Sequence, residues 1–281
     1  MPSTMIAVAK CMNADLLSKE ADELYQHGRF EEAILLYERA LEQDPEDATI
    51  WNSRGLALCR LGRHEQALAS FERALKIDPK STDARNNKGV VFYKQKRYDE
   101  ATAFFDEIIG ANPGYVRAWY NRGVVEDRLG RYDQAVYYYD KALQRNPGGA
   151  RIWSNRGAAL ANLGDFEAAL DSFDRSLALQ PERGEVWNNK GAALGKLHRY
   201  DEALAHFERA LQIDPSNAEA WYNRGEARRR QNKYEKAIED FDRAIEIDAR
   251  HAGAWNGKAL ALKTLGREEE AEAAFARGAD E

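Results

Sequence analysis

A repeating pattern of 34 residues is the feature that most constrains how this chain folds. All six tryptophans lie on one lattice with this spacing, and glycines, alanines, aromatic residues and prolines recur on it at fixed offsets. The tryptophans are Trp51, Trp119, Trp153, Trp187, Trp221 and Trp255. Because such a period is the signature of stacked units, the chain is predicted to be a repeat array and not a single globular core.

Each repeat has the pattern of two amphipathic helices. In the unit from 150 to 183, Trp153, Gly157 and Leu160 fall on one face of a helix. Gly164 then offers the left-handed conformation that often ends a helix. A second apolar stripe follows and stops at Pro181. One such hairpin cannot bury its own apolar face, so neighbouring hairpins are expected to stack and share a core.

The unit W-x3-G-x2-L, then A-x3-F, then P resembles the tetratricopeptide repeat. The resemblance implies an all-α fold, an α-solenoid in which eight repeats form a right-handed superhelix and the first helix of each pair lines the inside. Residues 1–13 are predicted to be an N-terminal extension to a single array. The predicted repeats are 14–47, 48–81, 82–115, 116–149, 150–183, 184–217, 218–251 and 252–281.

The composition favours a binding protein and gives no sign of chemistry. The net charge is −6, which argues against a nucleic-acid partner. Two cysteines and five scattered histidines form no metal or nucleophile motif, and no phosphate-binding glycine loop is present. We therefore expect no enzymatic activity, no cofactor and no metal. Without a signal peptide or a membrane-spanning run, the expected location is the cytoplasm.

Positions 4, 8 and 11 of each repeat form the core, so positions 2, 6, 9 and 13 point to the opposite side. In the family that the chain resembles, this side is the concave face. Asparagine occupies position 6 in five consecutive repeats, at Asn87, Asn121, Asn155, Asn189 and Asn223. The amide donates and accepts hydrogen bonds, which suits an extended peptide backbone. Alternatively, asparagine is a consensus residue that persists through duplication.

The remaining groove positions combine an apolar floor with positive charge. Position 9 is small or aliphatic in the middle repeats, as at Val90 and Val124, and Tyr120 lies at the edge. Cations at positions 2 and 13 are predicted to meet an acidic segment or a C-terminal carboxylate, or alternatively to balance the acidic second helices. These cations include Lys94, Arg117, Arg128, Arg151 and Lys196. A further basic row at position 7 is predicted to be structural, with its stems packed between repeats.

The predicted function is that of a scaffold or adaptor that binds an extended, acidic segment of another protein in its concave groove. Two alternatives remain open on sequence alone. A helical-repeat array with a basic stripe can bind RNA, and the last repeat, which no helix follows, can mediate self-association. The sequence does not name the partner or the process.

Overall fold

The computed structural model describes the backbone of residues 2–279 and the side chains of residues 13–278. Most side chains of the predicted N-terminal extension, and the end of the eighth repeat, lie outside the described residues. Residues 2–279 form α-helices joined by short turns. The sixteen helices of this range are α1 Pro2–Gln26, α2 Phe30–Gln43, α3 Ala48–Arg60, α4 His64–Ile77, α5 Thr82–Lys94, α6 Tyr98–Ala111, α7 Val116–Arg128, α8 Tyr132–Arg145, α9 Ala150–Leu163, α10 Phe166–Leu179, α11 Gly184–Lys196, α12 Tyr200–Ile213, α13 Ala218–Arg230, α14 Tyr234–Ile247, α15 Ala252–Thr264 and α16 Glu268–Ala279.

The chain divides into two compact units, Met1–Leu129 and Gly130–Glu281. The first contains α1 to α7 and the second contains α8 to α16. Every odd-numbered helix from α3 to α15 begins at the first residue of a 34-residue repeat. Among the described residues, none of the helices is both long enough and apolar enough to cross a membrane.

The two helices of a hairpin approach closely where a glycine faces an aromatic ring. A Cβ atom added to Gly157 would lie 2.6 Å from Cε1 of Phe173, and one added to Gly55 would lie 2.5 Å from Cε1 of Phe71. Both rings are fully buried. The ring of the second helix therefore occupies the space that any larger residue in the first helix would need, and this explains why glycine and the aromatic residue recur together.

The tryptophans fix the turn that leads into each first helix. The indole Nε1–H donates to the carbonyl oxygen six residues earlier, at 2.7–2.9 Å, and in five of the six cases this carbonyl belongs to the lattice proline. In the third repeat Arg85 occupies the tryptophan position. Its guanidinium donates to the carbonyl oxygen of Pro79 and so replaces the indole bond.

The cations at position 7 join neighbouring hairpins, in agreement with their structural interpretation. Six of them pair with an acidic residue on the second helix of the preceding hairpin, at 2.5–3.0 Å. The pairs are Arg54–Glu38, Lys88–Glu72, Arg122–Asp106, Arg156–Asp140, Lys190–Asp174 and Lys258–Asp242. Arg224 differs, because it pairs within its own hairpin with the buried Asp240. Burial raises the pKa of this carboxyl group.

The first helices end where the backbone enters the left-handed region. Gly164 has φ +84°, as the sequence predicted for this repeat. His198 occupies the equivalent position in the next repeat with φ +61°, a conformation that non-glycine residues rarely adopt. Its ring therefore lies at the end of α11. There Nδ1 of His198 is within hydrogen-bonding distance of the hydroxyl oxygen of Tyr200, at 2.7 Å.

Within each unit the first helices lie on the inner side of the stack. Successive first helices contact each other. In the first unit α3 contacts α5, and in the second unit α11 contacts both α9 and α13. No two second helices within the described residues come into comparable contact. The groove-facing positions predicted from the sequence belong to these first helices.

We predict that Gly157→Ala destabilises the second unit. Overpacking against the fixed ring of Phe173 costs about 1–3 kcal/mol, more than the gain of up to about 1 kcal/mol from helix propensity. Thermal unfolding followed by circular dichroism measures the change. Gly195→Ala is the control, since no heavy atom lies within 4 Å of its added Cβ, and it should leave the melting temperature unchanged or raise it. Equal destabilisation by both variants would contradict this account of the close approach.

Candidate functional site

The predicted groove residues lie on the first helices of both units. Asn87, Val90 and Lys94 are on α5 of the first unit, and Arg117, Tyr120, Asn121, Val124 and Arg128 are on α7. In the second unit Arg151 and Asn155 are on α9, Asn189 and Lys196 on α11, and Asn223 on α13. The five asparagines, the two valines and Tyr120 are half-buried, whereas all five cations are exposed.

Several asparagines of the row bind the preceding repeat. The Nδ2 atom of Asn87 donates to Oδ1 of Asn52 at 2.9 Å, and that of Asn121 donates to Oδ1 of Asn86 at 2.8 Å. Asn223 donates in the same way to Asn188, at 3.1 Å. These amides hold adjacent first helices together, so part of the row has a structural role. Each still has an oxygen that can accept a hydrogen bond from a ligand.

The exposed cations at position 13 differ from those at position 7 in having no carboxylate partner. Lys94, Lys196 and Arg230 form no ion pair with any described residue. Arg60 lies over the ring of Phe30, and a hydrogen bond with Tyr93 raises the pKa of Arg128. This row therefore presents positive charge that the protein itself does not neutralise.

The two cations at position 2 have different surroundings. Arg117 lies 3.3 Å from Oδ1 of Asp83, which also accepts a hydrogen bond from the hydroxyl group of Tyr115. Both charged side chains of this pair are mostly exposed, so the pair is weak and a ligand can compete for it. Arg151 is exposed on α9.

The acidic residues at position 9 are held by neighbours. Asp22 accepts a hydrogen bond from the hydroxyl group of Tyr37, and burial together with this bond raises the pKa of Tyr37. Glu226 makes a two-fold contact with the guanidinium of Arg229, at 2.8 and 2.9 Å. Asp22 is therefore held by a neutral hydroxyl group, whereas Glu226 is paired with a cation.

Two adjacent cavities open on the inner side of the second unit. The first, here called the alanine socket, has a volume of about 240 Å³ between α9 and α11. It is lined by Ala158, Ala161, Phe166, Asn189, Ala192 and Lys196, among others. Its floor is apolar, its depth comes from small side chains, and an amide and an ammonium group lie at its edge.

The second cavity, here called the tyrosine socket, has a volume of about 360 Å³ between α11 and α13. It is lined by Gly195, Lys196, Tyr200, Tyr222, Asn223, Glu226 and Arg230, among others. Burial raises the pKa of Tyr222, so its hydroxyl group remains a neutral hydrogen-bonding group at neutral pH. Ala192 and Lys196 line both sockets.

The equivalent positions of the first unit carry larger side chains. Positions 9 and 12 are Leu56 and Cys59 in the second repeat and Val90 and Tyr93 in the third. Burial raises the pKa of the Cys59 thiol to about 11, which keeps it neutral and unreactive. No group of three or more His, Cys, Asp or Glu side chains in the described part of the chain could hold a metal ion.

Asn189, Lys196 and Asn223 are the predicted site residues that the structure brings together at the sockets. Ala161 and Gly195 are not among the predicted site residues, although both are small at position 12 of their repeats. Phe166 and Tyr200 are not among them either, because they belong to second helices.

Family models described as tetratricopeptide repeat match the chain from residue 18 to 281. One model matches residues 18–82, 60–116, 188–252 and 229–281, a second matches 116–148 and a third matches 149–216. The chain belongs to the tetratricopeptide repeat family. Its repeats are of the kind that mediates protein–protein interaction, and it is a scaffold protein of that class. A comparison with curated proteins finds no match.

Solved structures with similar folds are also tetratricopeptide arrays. A tetratricopeptide repeat protein from Parabacteroides merdae ATCC 43184 is 18% identical, with a TM-score of 0.64; the match covers 89% of this chain and 99% of that one. MamA from Desulfovibrio magneticus RS-1, from residue 41 to its end, is 26% identical, with a TM-score of 0.54; the match covers 58% of this chain and 92% of that one.

The asparagine row predicts two kinds of variant. Asn223→Ala leaves the buried Oδ1 of Asn188 without its donor and should destabilise the second unit by about 1–3 kcal/mol. Asn189→Ala removes an amide that faces the alanine socket and should change stability by less than about 0.5 kcal/mol. Urea unfolding midpoints of the full chain compare them. A loss at Asn189 as large as that at Asn223 would assign the whole row to structure.

Proposed function

We propose that this protein is a scaffold that binds an extended, acidic segment of a partner protein along the inner groove of its second unit. The alanine and tyrosine sockets receive apolar side chains of the segment. Asn189 and Asn223 bind its backbone, and Lys196 and Arg230 attract its carboxylates. Affinity arises from several modest contacts and not from a single dominant one.

The observation that supports this proposal is the contrast between the two basic rows. Most cations at position 7 already have carboxylate partners on the neighbouring hairpin, with Arg156–Asp140 at 2.6 Å as an example in this unit. In contrast, Lys196 and Arg230 lie beside open cavities and have no ion-pair partner in the described chain. The carboxylate of Glu226, which also lines the tyrosine socket, is paired with Arg229. Cations without an ion-pair partner beside cavities with apolar and polar walls are suited to a ligand that combines apolar and acidic side chains.

The expected magnitudes fit a moderate affinity. A hydrogen bond to an asparagine contributes about 0.5–1.5 kcal/mol. Full burial of an aliphatic side chain contributes about 1.5–3 kcal/mol, and an exposed ion pair about 0–1 kcal/mol. The apolar anchors therefore supply most of the affinity, and the charges supply selectivity and the rate of encounter.

Selection from a library of random 16-residue peptides displayed on phage tests the proposal. Peptides recovered on the full chain should be enriched in Asp and Glu. Lys196→Glu should weaken their binding about tenfold, since an attraction becomes a repulsion at a half-open site. Fluorescence anisotropy with synthetic copies of the selected peptides measures this change.

Lys236→Glu provides the matched control, because it makes the same charge change at an exposed position of α14, outside both sockets. It should leave binding unchanged. Peptides that bind Lys196→Glu and wild type equally would place the site elsewhere and refute the proposal. A labelled single-stranded oligouridine should not bind at physiological salt, and binding that depends on Lys196 and falls steeply with salt would favour RNA instead.

A further inference from the structure

The two sockets lie on opposite sides of a single helix, α11. Ala192 and Lys196 of this helix line both of them, whereas α9 closes one and α13 closes the other. α11 contacts both α9 and α13, and helices in contact lie about 8–10 Å apart. A ligand side chain in the alanine socket and one in the tyrosine socket are therefore separated by about the same distance along the groove.

This distance selects among the conformations of an extended chain. In a β-strand, side chains on the same face are two residues and about 6.7 Å apart, or four residues and about 13 Å apart. In a polyproline II helix, every third side chain faces the same way and the rise over three residues is about 9.3 Å. Of these two conformations, only the polyproline II helix has same-face side chains at the spacing of the two sockets.

Each of the two sockets has one asparagine from position 6, and these two asparagines belong to successive repeats. Asn189 lines the alanine socket and Asn223 the tyrosine socket, each at position 6 of its repeat. A polyproline II segment has no internal hydrogen bonds, so its backbone groups are available to both amides. Asn223 already donates to Asn188, which leaves its Oδ1 to accept from the ligand. Asn189 and Asn223 can thus bind backbone groups of two ligand residues that are three positions apart in the ligand.

We infer that the groove of the second unit recognises its ligand with a period of three residues. The bound segment is an acidic, proline-containing chain in the polyproline II conformation. Its apolar side chains at positions i and i+3 occupy the alanine and tyrosine sockets, and its carboxylates lie against Lys196 and Arg230. This inference rests on the proposed function and adds the conformation and the spacing of the ligand.

The repeats themselves offer a way to fill one socket without damage to the fold. Position 9 is Ala192 in the sixth repeat and Leu56 in the second, so the array accommodates leucine there. In Ala192→Leu, the larger side chain reaches into both sockets. Ala205→Leu is the matched control: Ala205 is exposed on α12 at position 22 of the sixth repeat, and the first repeat carries the exposed Leu35 at the same position.

Three labelled 12-residue peptides of identical composition test the spacing. Each contains Asp, Glu and Pro with two leucines, placed at i and i+2, i and i+3, or i and i+4. Anisotropy titrations with the full chain should show that the i, i+3 peptide binds about tenfold or more tightly than either of the others, since these bury only one leucine. Ala192→Leu should abolish this preference, and Ala205→Leu should retain it.

The outcomes separate this inference from the proposed function. Equal affinities for all three peptides, or a preference for i, i+2, would overturn the three-residue period, while the proposed function would stand if the affinities still depend on Lys196. If none of the three binds although library-selected peptides do, the inference is likewise overturned. Failure of the library selection to yield any peptide that depends on Lys196 is the result that overturns the proposed function itself.

Discussion

The close approach of a glycine on a first helix to an aromatic ring on the second, which recurs at Gly55, Gly89, Gly157, Gly191 and Gly225, is the contact on which the rest of this structure depends. At Gly157 and Phe173 there is no room for even one more carbon atom. This contact sets the separation of the two helices, and that separation determines where the next hairpin can pack. The tryptophan bonded to the preceding proline carbonyl fixes the direction in which each first helix begins. Arg85 shows that the bond matters more than the ring, since it reaches the same carbonyl from the tryptophan position.

Two rows of cations that look alike in the sequence have different roles in the folded chain. Those at position 7 lie between hairpins and find carboxylates there, as Lys190 does at Asp174. Those at position 13 lie on the inner face and keep their charge exposed, as Lys196 does. The difference follows from the helical period, because six residues along a helix turn a side chain through more than one and a half turns. Ion pairs of the position 7 cations thus join neighbouring repeats, whereas cations at position 13 such as Lys196 have no carboxylate partner in the described chain.

The inner face is not uniform along the chain. The first unit fills positions 9 and 12 with Leu56, Val90 and Tyr93, whereas the second leaves space with Ala158, Ala192 and Gly195. A family of repeats that share one framework can vary these positions while the contact between the glycine and the aromatic ring is kept, although a large residue there adds to the hairpin, as Tyr93 does by packing on Tyr98. Function in such an array is therefore decided by a few side chains on a constant framework, in accordance with the general separation of fold and function.

The sequence by itself determined the helical hairpin, the repeat length and the family, because each of these depends on local periodicity and on a pattern repeated eight times. It also indicated which cations are structural. It did not determine which asparagines are used internally: Asn121 binds the preceding repeat, Asn189 lines a cavity, and Asn223 does both. Nor did it reveal the two sockets, since they require residues from a first helix, its neighbour one repeat away and the start of a second helix to come together. Such a site depends on the distance between stacked helices, and only the tertiary structure decides that distance.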